Sequence, residues 1–356
     1  MNSSTSSSEA RPNYPAEDAW RRFFQIAIGT ALGLGLVVYA FVVIVDPWDV
    51  LPLSPAFHRA PVSSNARFSF PALARNPVFD SAIIGTSTSR LLRPQVLNPA
   101  FKASFANLAM NSATPYEQTR LLEVFTRTHP RARVVMIGID AWWCRLSDTY
   151  EKYTPRPFPE WMYEPDPWPA YREMFNLFAV QEAWNQFAIL TGMKKPRYGR
   201  DGYTNFLPDE SQYDIARVRK KLPHQDPSPQ QPSTMDRAAL WFPAHPLMET
   251  ALQALPAETR KILFFVPYYI GIQPSPRSNA AAVFDECKAR IVRIAARTGN
   301  TMVVDFMIPS PITREETHYW DPQHYRVPVA DRLMADLVNA ARGASFAEGD
   351  DHVLLK

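Results

Sequence analysis

The sequence predicts an α/β protein: a three-layer α/β/α sandwich around a mostly parallel five-stranded sheet, preceded by one transmembrane helix. Three observations carry this. Short apolar runs end at turn residues, as buried parallel strands do. Segments with helical spacing alternate with them, the pattern of a wound sheet rather than a hairpin stack. Near the N-terminus a long run carries no charge at all.

The strands are expected at Phe79–Ile84, Ala103–Ala109, Arg133–Asp140, Lys261–Pro267 and Thr301–Phe306. The third, RVVMIGID, is apolar on both alternating faces and reads as the central strand. Between the second and third strands, Pro115–Thr128 places Leu121, Leu122 and Phe125 at helical spacing, with Glu117 near its start to complement the helix dipole. Helices are also expected over Ala280–Thr298 and Val327–Ala341.

The uncharged run is Phe23–Val45, FFQIAIGTALGLGLVVYAFVVIV. As a helix it spans roughly 34 Å, enough to cross the hydrocarbon layer of a membrane. Arg21 and Arg22 precede it while Asp46 and Asp49 follow, which predicts a cytoplasmic N-terminus. Tyr39 and Trp48 are expected in the aromatic belt at its outer end. A cleaved signal peptide is the rival, but DPWDVLPLSP after Val45 offers no small-residue cleavage site. Gly29 and Gly33 form a GxxxG pair, a helix-pairing pattern as frequent by chance as by function.

The organisation read from composition is a disordered cytoplasmic tail over 1–22, the membrane helix over 23–45 and a Pro-rich stalk over 46–75. A single domain over 76–345 and a C-terminal tail over 346–356 follow. A Pro- and aromatic-rich insertion of about 145–256 interrupts the domain. It holds a helical stretch over Tyr171–Leu190 whose aromatic stripe (Phe175, Phe178, Trp184, Phe187) is expected to be core, and a polar loop around Gln225–Ser233. With 34 Pro against 12 Gly, connections should be rigid and extended. A formal charge of +3 and the lack of a basic stripe among aromatics argue against nucleic acid. Cys144 and Cys287 are the only cysteines, and spacing does not decide whether they pair.

Ligands of parallel α/β sheets bind beyond the carboxyl ends of the strands. There the sequence sets Gly85-Thr86-Ser87-Thr88-Ser89-Arg90 after the first strand and Asn107 and Asn111 after the second. Asp140, Trp142 and Trp143 follow the third strand. His318, Asp321 and His324 of HYWDPQHYR follow the last. GTSTSR lacks the second glycine and the Gly-Lys-Ser/Thr ending of a phosphate loop. A serine at a strand-to-helix turn is instead suited to nucleophilic attack if a base reaches it, and Asp321 and His324, three residues apart, can supply an oriented one. Ser87 is the preferred nucleophile. Ser89 is the alternative, and helix capping the plain reading of both. Asp321, His324, His318 and Asp305 show no HxH or HExxH spacing, so neither a metal nor another cofactor is expected.

This set, Gly85-Thr86-Ser87 early, an Asn-bearing second block and a late Asp321-x-x-His324, resembles the SGNH (GDSL-like) hydrolase superfamily, whose sheet is flavodoxin-like. Within it the chain is most similar to the membrane-anchored branch related to bacterial envelope polysaccharide O-acetyltransferases. The resemblance covers about 180 residues in separated blocks. It implies Ser87 as nucleophile, His324 as general base and Asp321 as its orienting acid. It further implies acyl transfer or ester hydrolysis on O-acyl groups, O-acetyl above all, of an envelope or exported polysaccharide. A membrane-bound acyl-donor protein is the implied partner, with the main domain in the periplasm of a bacterium and the chain in its inner membrane. Oxyanion and substrate candidates are Asn107, Asn111, Asp140, Arg90, Trp142 and Trp143. The chain departs from the pattern at Thr86, where the family has Asp, at Asn111, where it has a glycine, and at Asp140, where it has an Asn. An ionised Asp140 would repel an oxyanion. These departures support the alternative of a catalytically inactive scaffold or glycan-binding subunit with the same fold.

Overall fold

A computed structural model describes residues 15–224, 234–344 and 350–356 of the chain. The loop expected around Gln225–Ser233 and residues 1–14 of the expected tail lie outside the described residues. The first helix, α1, runs Pro15–Val45, so residues 15–22 belong to the helix and not to a tail. Its Asp18–Val45 portion is apolar and long enough to span a membrane.

Past α1 come α2 (Ala66–Arg75), β1 (Ser81–Ile84), α3 (Pro94–Phe101), β2 (Phe105–Asn107), α4 (Pro115–Thr128) and β3 (Val134–Ile139). Then follow α5 (Pro169–Glu173), α6 (Leu177–Leu190), α7 (Ile215–Arg219), α8 (Ala244–Ala254), β4 (Arg260–Phe265) and α9 (Asn279–Arg297). The last are β5 (Thr301–Asp305), α10 (Pro311–Arg314), α11 (Val327–Ala341) and β6 (Val353–Leu354).

The sheet order is β2-β1-β3-β4-β5-β6, with β1 to β5 parallel and β6 antiparallel to β5. The five expected strands are therefore joined by a sixth from the segment expected to be a tail. Two residues suffice because the β5 edge offers free backbone groups: Val303 N–H donates to Lys356 O at 2.9 Å and Leu355 N–H to Val303 O at 2.8 Å.

Parallel strands need crossovers, and these are right-handed. The steps β2 to β3, β3 to β4 and β4 to β5 run one way along the sheet, which puts α4, α8 and α9 on one face, where α4 packs on α8 and α8 on α9. The step β1 to β2 runs the other way and puts α3 on the opposite face, packed against α11. The order reverses between β1 and β3, and a crevice opens at such a point beyond the strand ends.

Three expectations of organisation change. The stretch 46–75 is not a stalk. Asp46 is buried at the end of α1 and accepts from the Val50 and Leu51 amides and the Ser54 hydroxyl. Arg59 caps α1 by donating Nε–H to Val45 O at 2.8 Å. Arg67 of α2 forms a fully buried ion pair with Glu117 of α4, Nε to Oε1 3.0 Å, and Glu117 also completes a capping box with Thr114. Trp48, expected in the membrane belt, is buried against Phe68, Trp161 and Phe178. The insertion ends before α8, because α8 is the β3–β4 crossover helix itself.

The aromatic stripe is likewise not core. The helical stretch breaks at Asn176, which caps α6 by accepting from the Ala179 amide. Phe175, Phe178 and Trp184 are exposed, and Phe187 is partly so. What α6 buries is small or polar: Ala179, Glu182, Ala183, Gln186 and Ala188. Cys144, in the turn after β3, and Cys287 of α9 form a disulfide. In the chain-entropy model a loop of 143 residues closed this way is worth about 5 kcal/mol.

Candidate active site

β1 and β3 are in register from Ser81 with Val134 to Ile84 with Ile137, so Gly85, just past the end of β1, sits beside Gly138 of β3. Ser89 Oγ wedges between them. A Cβ on Gly85 would come within 2.3 Å of that oxygen and one on Gly138 within 2.0 Å, so both positions require glycine. Ser89 is fully buried and locks two strand ends together. As a nucleophile it has no access to substrate.

Ser87 stands two residues earlier, at the start of the single helical turn Ser87–Ser89, and keeps some exposure. Its hydroxyl lies 2.8 Å from His324 Nε2. Across the ring, His324 Nδ1 lies 2.8 Å from Asp321 Oδ2 and 3.0 Å from Oδ1. Residues 237 positions apart in sequence thus make a continuous hydrogen-bonded line. The side chains of His324 and Asp321 are 24% and 36% exposed, so the line opens to solvent.

The Asp321–His324 turn is rigidly built. Asp321 Oδ1 accepts from the amides of Gln323 and His324, and Trp320 N–H donates to His324 O at 2.9 Å. Tyr319 and Tyr325 pair as an isolated antiparallel bridge at its base. Tyr325 donates its hydroxyl to Thr88 O, tying this turn directly to the Ser87 turn. Tyr269, after β4, donates its amide to Pro322 O. Partial burial raises the Asp321 carboxyl, but the hydrogen bond and charge of His324 and the two amides outweigh it, so the group sits below its ordinary value. An ionised Asp321 accepts the Nδ1 proton and leaves Nε2 free to accept from Ser87.

The other candidates fare differently. Asn107 is buried, and its side-chain amide donates to the carbonyls of Ser89, Arg90 and Leu92 at 3.2, 3.3 and 2.8 Å. It is committed to holding the serine turn and has no N–H left for an oxyanion. Asn111 accepts from Arg90 Nη1. Asp140 is buried at the end of β3, accepting from Trp142 N–H and the Thr86 hydroxyl; burial pushes its carboxyl up to about 6, against these hydrogen bonds and the charge of Arg145. Trp143 is core, and Trp142 is half-buried with the Arg145 guanidinium 3.7 Å from its ring centre. His318 Nδ1 contacts Ile312 O, away from the triad, and Asp305 is buried in an ion pair with Lys288. No group of three His, Cys, Asp or Glu side chains able to hold a metal occurs among the described residues.

Arg90 is buried, with its guanidinium over the rings of Tyr198 and Phe206, while Nε and Nη2 have no hydrogen-bond partner among the described residues. Phe206 also meets the His324 ring edge-on at 5.5 Å. Both aromatics come from the insertion, and nothing in their spacing singles them out in the sequence. The insertion is pinned there by Asp201, whose carbonyl accepts from the Asn107 amide at 2.7 Å, and by Gly202, where a Cβ would fall 2.2 Å from Asn107 O.

No protein-family model matches this chain, and no curated protein matches it significantly.

Proposed function

We propose that this protein is a membrane-anchored, serine-dependent enzyme of SGNH type. It acts in the periplasm as an acyltransferase or esterase on O-acyl groups of an envelope or exported polysaccharide. The single observation that carries the reading is the line Ser87 Oγ, His324 Nε2, His324 Nδ1, Asp321, with both spacings at 2.8 Å and the nucleophile partly open to solvent.

In this mechanism Ser87 Oγ attacks the acyl carbonyl while His324 Nε2 takes its proton, and Asp321 stabilises the imidazolium that forms. The tetrahedral intermediate collapses to an acyl-Ser87, and His324 returns the proton to the departing alcohol. A sugar hydroxyl, or water, then gives up its proton to His324 and attacks the acyl-enzyme, and the acyl–Ser87 bond breaks as His324 returns that proton to Ser87 Oγ. The amides of Ser87 and Thr88 donate no backbone hydrogen bond among the described residues and suit the oxyanion. Anchor and disulfide together support a compartment outside the cytoplasm, where disulfides persist. The choice of acyl group and polysaccharide follows the family resemblance.

A second reading, an inactive scaffold or glycan-binding subunit, is favoured by one observation: Asp140 stands where an oxyanion-binding side chain is expected, and Asn107 is spent on backbone. One experiment separates the two. Full-length protein in detergent, wild type beside Ser87→Ala, is treated with a fluorophosphonate probe and an activated acetyl ester. Labelling and turnover that vanish in Ser87→Ala support the enzyme. Equal labelling of the two proteins, or turnover that persists, refutes it.

A further inference from the structure

The outer end of α1 is not bare. Tyr39 donates its hydroxyl to Tyr171 O at 2.6 Å, its ring meets Phe175 at 5.5 Å, and Phe41 meets Phe187 at 5.9 Å. α1 itself packs on α6. The level of these contacts follows from chain length. The first charge-free residue after Arg22 is Phe23, and a span needs about 20 apolar residues, which brings the far edge of the hydrocarbon to about Val42. Tyr39 and Phe41 lie inside that edge, so the residues packed on them lie at the same depth.

The side of this region turned away from the domain carries several large apolar groups, with Gln181 the exposed polar residue between Leu177 and Trp184. Phe175 is 72% exposed, Leu177 86%, Trp184 59% and Met193 63%. Leu177 and Trp184, seven positions apart, share one face of α6 while the opposite face buries Ala179, Ala183 and Gln186. Single exposed apolar groups are ordinary, but a cluster of large ones at one level of the molecule is not. Lys194 and Lys195, exposed just beyond α6, suit anionic headgroups, as basic residues flanking interfacial helices do.

We propose that α6 and the Phe175 turn lie in the outer interface of the bilayer, so that the domain holds lipid with a second surface besides α1. The occupant is the lipid surface itself, chosen because the patch is continuous with a helix that crosses it. This rests on reading α1 as a membrane span. The arrangement fixes how the domain faces the membrane. The chain leaves α6 at Leu190 and reaches Tyr198, over Arg90, in eight residues, a reach of at most about 29 Å. The cleft wall is thus one short connection away from lipid, as use of a membrane-held acyl donor or acceptor requires.

Site-directed spin labelling of the full chain in phosphatidylcholine–phosphatidylglycerol nanodiscs tests this. Both native cysteines are in the disulfide, so single replacements Leu177→Cys, Trp184→Cys, Leu34→Cys and Glu258→Cys can each be labelled selectively. Collision with oxygen, which partitions into lipid, is compared with collision with a water-soluble nickel chelate. The expected result is an excess of oxygen collisions at Leu177 and Trp184, of the same sign as at Leu34, with nickel dominant at exposed Glu258. Nickel dominance at Leu177 and Trp184 beside a lipid-like Leu34 overturns the interfacial placement and leaves the anchor standing. Exclusion of both reagents also overturns it, because protein then covers the face. Nickel dominance at Leu34 removes the anchor and the proposal together. Thermal unfolding of each labelled chain shows whether it is folded; all four positions are exposed, so no loss of stability is expected.

Discussion

Two groups of polar residues crowd the carboxyl edge of this sheet, and they are built in opposite ways. Ser87, His324 and Asp321 bond to one another across the fold and keep partial exposure. Asn107, Ser89 and Asp140 are buried, and Asn107 and Asp140 bond only to nearby backbone and to Thr86. The contrast distinguishes a site from its scaffold. Buried polar groups are costly unless satisfied, so Asn107 and Asp140 are consumed in fixing the turn that presents the first group, while Ser89 Oγ is held there by packing with no hydrogen-bond partner among the described residues. A reactive group must keep unspent capacity and access.

That division can be broken experimentally, and the largest expected effect is on the exposed line. His324→Ala should lower ester turnover by on the order of 10⁴-fold or more, and Asp321→Asn by a comparable factor, since triad members act as a unit. Thermal midpoints should barely move, because neither side chain is core. A His324→Ala protein that turns over at the wild-type rate would remove the triad from consideration.

Next in size is the support beneath the site. Glu117→Ala strands Arg67 as a buried unpaired cation and removes the α4 capping box, which should cost roughly 3–5 kcal/mol in denaturant titration. Because Arg67 Nη1 also donates to Asn111 O, the Asn111 loop should loosen with it.

Asn107→Ala sharpens the comparison further. It leaves the Ser89, Arg90 and Leu92 carbonyls without this partner, so a loss of roughly 1–3 kcal/mol in stability is expected. Were Asn107 an oxyanion donor instead, turnover would fall by on the order of 10²-fold with stability intact, and that pattern would reverse its assignment.

The smallest effect is a pH dependence. Burial raises the Asp140 carboxyl to about 6 in the fold against an ordinary value of 3.8. The charged form is therefore disfavoured by folding, a cost fully present above about pH 6 and relieved as pH falls towards 3.8. At roughly 1.4 kcal/mol per pH unit, the change between pH 8 and pH 5 amounts to about 1.4 kcal/mol. Asp140→Asn keeps an acceptor for Trp142 and Thr86 and removes the charge. Its thermal midpoint relative to wild type should be higher at pH 8 than at pH 5. A constant difference across that range would show that Asp140 does not titrate there.

Much of the frame was legible because it depends on local patterns. Strands such as Val134–Ile139 are continuous apolar runs, and α4 spans the expected Pro115–Thr128. Ser87, Asp321 and His324 were legible as a pattern of residue types at strand ends. Illegible were the features that depend on what lies opposite. Trp48 and Trp184 have the same side chain, yet one is core and the other exposed, because only Trp48 meets Phe68 and Trp161. The segment 46–75 reads as a stalk because its prolines and charges mask α2, whose Phe70, Leu73 and Ala74 are core and whose Arg67 is paired only by the distant Glu117.

By itself the sequence determined the α/β alternation, the apolar helix near the N-terminus and the residue types available for chemistry, all properties set by neighbours a few positions apart. Only the tertiary structure decided which serine is free, that Cys144 meets Cys287, that Val353–Leu354 extends the sheet, and that Tyr198 and Phe206 enclose Arg90. The physical reason is that hydrogen-bond satisfaction and burial are set by partners remote in sequence, and a residue's capacity for chemistry is what those partners leave unspent.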